Sequence, residues 1–314
     1  MFSRKAILLF AAIAVGALVI GLVVQFQLRE GGNFPQIPFQ TPRKTALKVS
    51  AYVSAGYWTR NDNTDLPDYV SNIQYSVSNI GNANAADVNV TVYVDGNLYT
   101  TSAISSLVAS QTNASSFSMS TTYDSTSSVL VQASCKDSAD SQAVSVGSSL
   151  PRYWSDEPDI VELYVTPKEA NLVSMKDAII RSKFFLSPNW MALRDWVGNN
   201  IKYKYDNETH GVNDYWQLPK ETLELRTGDC EDYAILLCSL LRADGWSSND
   251  AFVVLGKNAE NQYHGWAKIS FGILGWYNIE PQGNAWATLI GDFLSLSGYT
   301  AMCQFNDQQF KQIG

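Results

Sequence analysis

Apolar and polar positions fall into three regimes along this chain. The first is continuous: Ala6 to Val24 are 19 uncharged, almost wholly apolar residues, enough for a helix to cross roughly 30 Å of hydrocarbon. The second is alternating. Ile73, Tyr75 and Val77 interleave with polar residues, as do Val88, Val90, Val92 and Val94, and again Val129, Val131, Ala133 and Cys135. That period of two predicts half-buried strands. Asn79-Ile80-Gly81-Asn82 and Asp95-Gly96-Asn97 supply turns. Short alternating strands from about residue 47 to 150 predict a small antiparallel sandwich. The third regime has helical spacing. It predicts a helix within 168–185, one after Ser187-Pro188 carrying Trp190, Leu193, Trp196 and Val197, and one beginning near Cys230. Strand-like runs follow at 251–255, 263–271 and 276–280, so helices precede strands in an α+β domain.

Four segments result: an anchor at 1–24, a Gly- and Pro-bearing stalk at 25–46, the sandwich at 47–150, and the α+β domain at 151–314. Arg4 and Lys5 precede the apolar run, which places the N-terminus in the cytoplasm and the bulk of the chain outside. A cleaved signal peptide is the rival reading. Its shorter apolar region and small-residue cleavage site are missing before Gln25-Phe26-Gln27-Leu28-Arg29.

Charge removes one class of function. Lys and Arg total 22 against 30 Asp and Glu, a net charge of −8, and no basic stripe suits a nucleic acid. The four cysteines do not make a disulfide scaffold at this length, and Cys238–Cys303 is the one pair worth considering. No zinc spacing occurs, and Asp229, Glu231 and Asp232 lack the spacing of a calcium loop, so no metal and no cofactor is expected.

The chemistry concentrates on Cys230 in Gly228-Asp229-Cys230-Glu231-Asp232-Tyr233-Ala234. Asp229 can cap the helix, with Asp232 returning the capping-box bond. In the first helical turn, the dipole and unpaired N–H groups favour a thiolate and can hold an oxyanion. Glu231 and Asp232 oppose ionisation. The chain has only two histidines. His210 lies in a polar loop, whereas His264 opens the strand-like run 263–271. A hairpin centred on Gly272 would set His264 opposite Glu280, with Cβ atoms about 5 Å apart. Centring it on Phe271 would bring Asn278 opposite instead, on the same face.

Trp216-Gln217-Leu218-Pro219-Lys220-Glu221-Thr222-Leu223, the Cys230 block, His264-Gly265-Trp266 and Trp276-Tyr277-Asn278-Ile279-Glu280-Pro281 together resemble the transglutaminase-like superfamily of papain-related thiol enzymes. The resemblance spans roughly 187–285 and implies Cys230 as nucleophile, His264 as base and Glu280 as orienter, where the family usually has Asp. The short Trp216-Gln217 match suggests one of these two as a side-chain donor to the oxyanion. Residues 78–96 resemble the CARDB-type adhesion modules, Ig-like sandwiches of microbial cell surfaces, which implies a spacer or adhesive role. The expected activity is a membrane-anchored thiol enzyme that opens amide bonds through a thioester. Its substrate would be an extracytoplasmic protein, peptide or glycopeptide, and its acceptor water or an amine. The competing expectation is an adhesion protein whose enzyme-like domain has lost turnover.

Overall fold

Alternation builds the first half of the molecule. In the computed structural model, which describes residues 41–154, 158–282 and 298–313, seven antiparallel strands follow one another: β1 (Leu47–Arg60), β2 (Pro67–Asn79), β3 (Ala85–Val94), β4 (Asn97–Leu107), β5 (Thr112–Thr122), β6 (Thr126–Cys135) and β7 (Ser138–Gly147). They form two sheets, ordered β1-β2-β5 and β4-β3-β6-β7. The inward residues are the ones the period of two selects: Leu47, Val49, Ala51, Ile73, Val77, Val88, Val90, Val92, Val129, Val131 and Ala133 are all buried between the sheets. Asp95 and Gly96 turn β3 into β4 with φ of 50° and 78°, the left-handed pair that a two-residue hairpin needs. Polar side chains of β7 join the sheets at an edge. Ser138 Oγ, Asp140 Oδ2 and Gln142 Oε1 accept the N–H groups of Leu47, Val49 and Ala51, which satisfies a strand edge otherwise open to pairing.

Helical spacing builds the second half: α1 (Pro158–Val161), α2 (Ala170–Ser182), α3 (Asn189–Asn200), α4 (Asp206–Thr209), α5 (Pro219–Leu225) and α6 (Cys230–Ala243). Glu169 caps α2, its carboxylate accepting the Leu172 N–H at 2.8 Å. The central helix is α6, buried almost throughout. It packs against α2, α3 and α5 and against a five-stranded antiparallel sheet ordered β12-β11-β10-β13-β14. Those strands are β10 (Ala251–Lys257), β11 (Tyr263–Ser270), β12 (Trp276–Ile279), β13 (Thr300–Phe305) and β14 (Phe310–Gln312). A two-residue parallel bridge joins β8 (Lys202–Tyr203) to β9 (Thr227–Gly228). The second half is the α+β domain that the order of periods predicts. Among the described residues no helix is long and apolar enough to cross a membrane; the run Ala6–Val24, and the stalk up to residue 40, lie outside them. All four cysteines are free, so Cys238 and Cys303 form no disulfide.

The sandwich and the α+β domain share one core. Trp58, Leu66 and Tyr123 of the sandwich pack with Leu150, Tyr164, Trp216, Leu218 and Ile235. Arg152 locks this junction from the connecting segment. Its guanidinium donates to Glu221 at 2.6 and 2.8 Å, to Asp124 at 2.5 Å and to the Trp216 carbonyl at 3.2 Å. It lies within 5.5 Å of the Tyr123 ring centre and 5.0 Å of Tyr215. A bidentate, largely buried guanidinium bridging two domains fixes their mutual geometry, which a freely jointed spacer would not require. Removing it strands the Glu221 charge. Arg152→Met is therefore expected to cost about 3 kcal/mol, read as a lowered midpoint in urea unfolding.

Candidate active site

The start of α6 is set by four consecutive local choices. Arg226 ends α5 in the left-handed region at φ 58°. Thr227 and Gly228 then run extended beside β8. Asp229 is the extended N-cap, and only the returning half of its capping box forms: Asp232 Oδ2 accepts the Asp229 N–H at 3.2 Å. Asp232, fully buried, also accepts the Gln217 N–H at 2.8 Å and the Gln217 side-chain amide at 2.6 Å. Gly228 makes room for it, since a Cβ there would meet Asp232 Oδ2 at 2.8 Å. Cys230 is consequently the first residue of the helix, as its sequence context predicts.

Strand β11 presses directly on that helix start. A Cβ on Gly265 would lie 3.0 Å from Glu231 Cα and 3.2 Å from the Cys230 carbonyl carbon. The missing side chain thus brings the neighbouring His264 to the mouth of the same cleft. The cleft has a volume of about 440 Å³, and Cys230, Glu231, Trp216, His264 and Gly265 all line it. The imidazole sits between rings, with Trp266 at 6.3 Å and Tyr299 edge-on at 5.5 Å.

His264 and Glu280 meet, though through a different register from those expected. Ala267 pairs with Ile279, Lys268 with Asn278 and Ser270 with Trp276, so the hairpin is centred on Ile273. Glu280 is then a diagonal neighbour of His264 on the same face, at a spacing that only a long side chain spans. Its Oε2 reaches His264 Nε2 at 2.8 Å. The extra methylene relative to aspartate is what closes this gap. Asn278 is engaged elsewhere, accepting the Trp266 indole N–H at 3.3 Å.

Gln217 is a correction. It is fully buried, and its amide hydrogens go to Asp232 and to the Thr227 carbonyl. It clamps the helix start and has no donor left for an oxyanion, which leaves Trp216 and the backbone N–H groups of the first turn of α6 as the candidates. Trp216 does line the cleft, buried and stacked on Phe305. His210 stacks on Tyr215 at 3.8 Å and takes no part in the cleft lining; burial holds its imidazole below the ordinary value.

The electrostatics oppose a resting thiolate. Burial first, then Glu231 and Asp229, push the Cys230 thiol well above its usual range, against a smaller lowering by the Gly265 N–H. The thiol donates to Glu231 Oε2 at 3.2 Å. The carboxyls themselves are crowded. Asp206, Asp214 and Glu231 each bring an oxygen within 4.8 Å of the others, and so do Asp206, Asp229 and Asp232. Spacing along the sequence could not show this, because the groups come from separate segments. Oxygen-rich clusters of this kind suit a hard divalent cation; protons serve the same neutralising purpose. Burial, then Asp229, raises Asp206 to about 7, and burial raises Asp229, Glu231 and Asp232 as well.

A cysteine at a helix start thus faces a strand that carries an imidazole, itself paired with a carboxylate just past the next strand. Residues 187–281 match the family model of the transglutaminase-like superfamily, and residues 60–141 match that of CARDB. The chain thus carries a transglutaminase-like core behind a CARDB module, as the sequence motifs imply. No curated protein matches the sequence. Among solved structures, EGTA-treated LapG of Legionella pneumophila is 18% identical over 51% of this chain and 79% of its own, with a TM-score of 0.35. Calcium-bound LapG is 19% identical over 51% and 81%, at 0.34. The CARDB domain of PF1109 from Pyrococcus furiosus is 18% identical over 34% and 98%, at 0.25. TM-scores this low establish no shared overall fold.

Two outcomes follow from this geometry. Gly265→Ala should fold yet lose about 10- to 100-fold in Cys230 reactivity, measured by alkylation rate, because it displaces His264 from Cys230. A carboxyl whose folded-state pKa is raised favours folding most when protonated, so its contribution is lost as pH rises from about 4 to about 7. In chelator-containing buffer the thermal midpoint should fall over that window. Asp206→Asn, whose amide oxygen can still accept the Tyr215 N–H, should flatten the fall.

Proposed function

We propose that this chain is a membrane-anchored, extracytoplasmic cysteine enzyme that opens amide bonds of a protein, peptide or glycopeptide through a thioester. The observation that carries the chemistry is the His264–Glu280 pair, held at 2.8 Å on the strand whose glycine packs against Cys230. The apolar run Ala6–Val24, preceded by Arg4 and Lys5, supports the anchoring and the orientation.

The resting thiol is protonated, so the base acts during attack. Glu280 occupies Nε2, which leaves Nδ1 of His264 to take the thiol proton as Cys230 Sγ bonds to the carbonyl carbon. The carboxylate stabilises the imidazolium that forms. As the C–N bond breaks, the imidazolium returns that proton to the departing amine, leaving a thioester on Cys230. Water, the default acceptor, then adds with His264 again as base and releases the acid; an amine acceptor would instead give a new amide.

A second reading, a binding protein without turnover, is favoured by one observation: the thiol faces Glu231, which adds to the charge opposing its ionisation. Alkylation of the full-length chain by iodoacetamide across pH separates the two. The enzyme reading expects Cys230 to react at least tenfold more slowly in His264→Ala. Glu280→Asp should also slow it several-fold, although aspartate is the usual family residue, because the shorter side chain cannot span the diagonal. Rates indifferent to both substitutions would support the inactive protein.

A further inference from the structure

Trp154 stands outside the segment that matches the superfamily, in the short connection that follows the sandwich, yet it forms one wall of the catalytic cleft. Its ring centre lies 6.0 Å from that of Trp216 at 43°. Its backbone N–H donates to Asp214 Oδ2 at 3.2 Å. Two residues earlier, the Arg152 carbonyl accepts the Trp216 N–H at 2.9 Å while the Arg152 guanidinium binds the Trp216 carbonyl. The connection is therefore strapped to the segment that carries Trp216, and the two indoles hold a fixed relation. Trp216 is buried, with 2% of its surface accessible, whereas Trp154 keeps 39%. A half-open indole beside a closed one, with Leu255 and Met302 also lining the space, is apolar surface that a ligand would remove from water.

The charge of the cleft narrows the ligand. Asp214 and Glu231 line it, and no Lys or Arg does among the described residues. An acidic side chain would enter without a counter-ion and against like charge, which costs affinity.

We infer that Trp154 and Trp216 form a specificity subsite for a large apolar side chain, aliphatic or aromatic, next to the amide that Cys230 attacks, and that the cleft rejects acidic residues there. This rests on the thiol-enzyme reading above and deepens it by naming a substrate class. It also gives the sandwich junction a role in substrate choice, since Arg152 positions the wall that Trp154 completes.

The test uses the full-length chain and two sets of tripeptidyl acyloxymethyl ketones. One set varies the residue at the ketone and the other its neighbour, each among Phe, Leu, Gly and Asp. The Cys230 sulfur bonds to the methylene carbon and expels the carboxylate, so labelling measures recognition by the cleft. The readout is the ratio of rate constants within each protein, which cancels any change in the thiol itself. In one set, Phe and Leu are expected to label at least about tenfold faster than Gly, with Asp slowest. Trp154→Ala should collapse the Phe-to-Gly ratio toward unity, and Trp154→Phe, which keeps an aromatic wall, should retain most of it. An unchanged ratio in Trp154→Ala, or equal rates for all four residues in the unsubstituted protein, overturns the subsite. If iodoacetamide shows no His264-dependent reactivity, the thiol-enzyme reading fails first and the subsite falls with it.

Discussion

One buried carboxylate organises the ground around the cysteine. Asp232 accepts three N–H groups, two from Gln217 and one from Asp229, and it has no access to water. A carboxylate taken out of solvent is costly unless such donors surround it. The donors therefore have to be where they are, and the segments that carry them are fixed with it. One is the turn that starts α6 and presents Cys230. Another is the extended segment 216–218, which forms the cleft wall and leads into α5. Through Glu221 and Arg152 the same segment reaches the sandwich. Cys230, the cleft wall and the domain junction thus hang from a single buried carboxyl.

The second constraint is steric, and it acts on His264. Close approach of β11 to the helix start requires a glycine at 265, and that approach sets how far His264 can be from the sulfur. The hairpin register then leaves Glu280 one step out of line with His264. Glutamate meets that offset by length. With glutamate at this position the carboxylate reaches the imidazole across the offset of a hairpin centred on Ile273.

The periodic parts of this architecture were legible from the sequence. Val88, Val90 and Val92 announced a sandwich strand, and the apolar stripe of α6 with its polar cap located Cys230 at a helix start. His264 and Glu280 could be placed on one face because face depends only on parity, whereas their register depends on where the turn closes. Gln217 was misassigned because its short motif carries no information about Asp232, fifteen residues on, whose burial claims the amide. The crowding of Asp206, Asp214, Asp229 and Glu231 was invisible for a similar reason: no local rule brings separate loops together. The role of Arg152 was hidden too, since a lone arginine in a connection reads as a solvated charge until its partners are in view.

The state of the thiol follows from these same constraints. The helix start would lower the Cys230 pKa, but burial, then Glu231 and Asp229, outweigh it, and the thiol rests protonated against Glu231. A preformed thiolate–imidazolium pair would need the acid cluster to be neutral, and it is crowded enough that protons or a cation must neutralise part of it in any case. Reactivity is therefore tied to how that cluster is neutralised. With its charge unneutralised, Glu231 competes for the thiol proton; with it neutralised, the proton is left to His264. The acids crowded around the helix start thus set how readily its cysteine ionises.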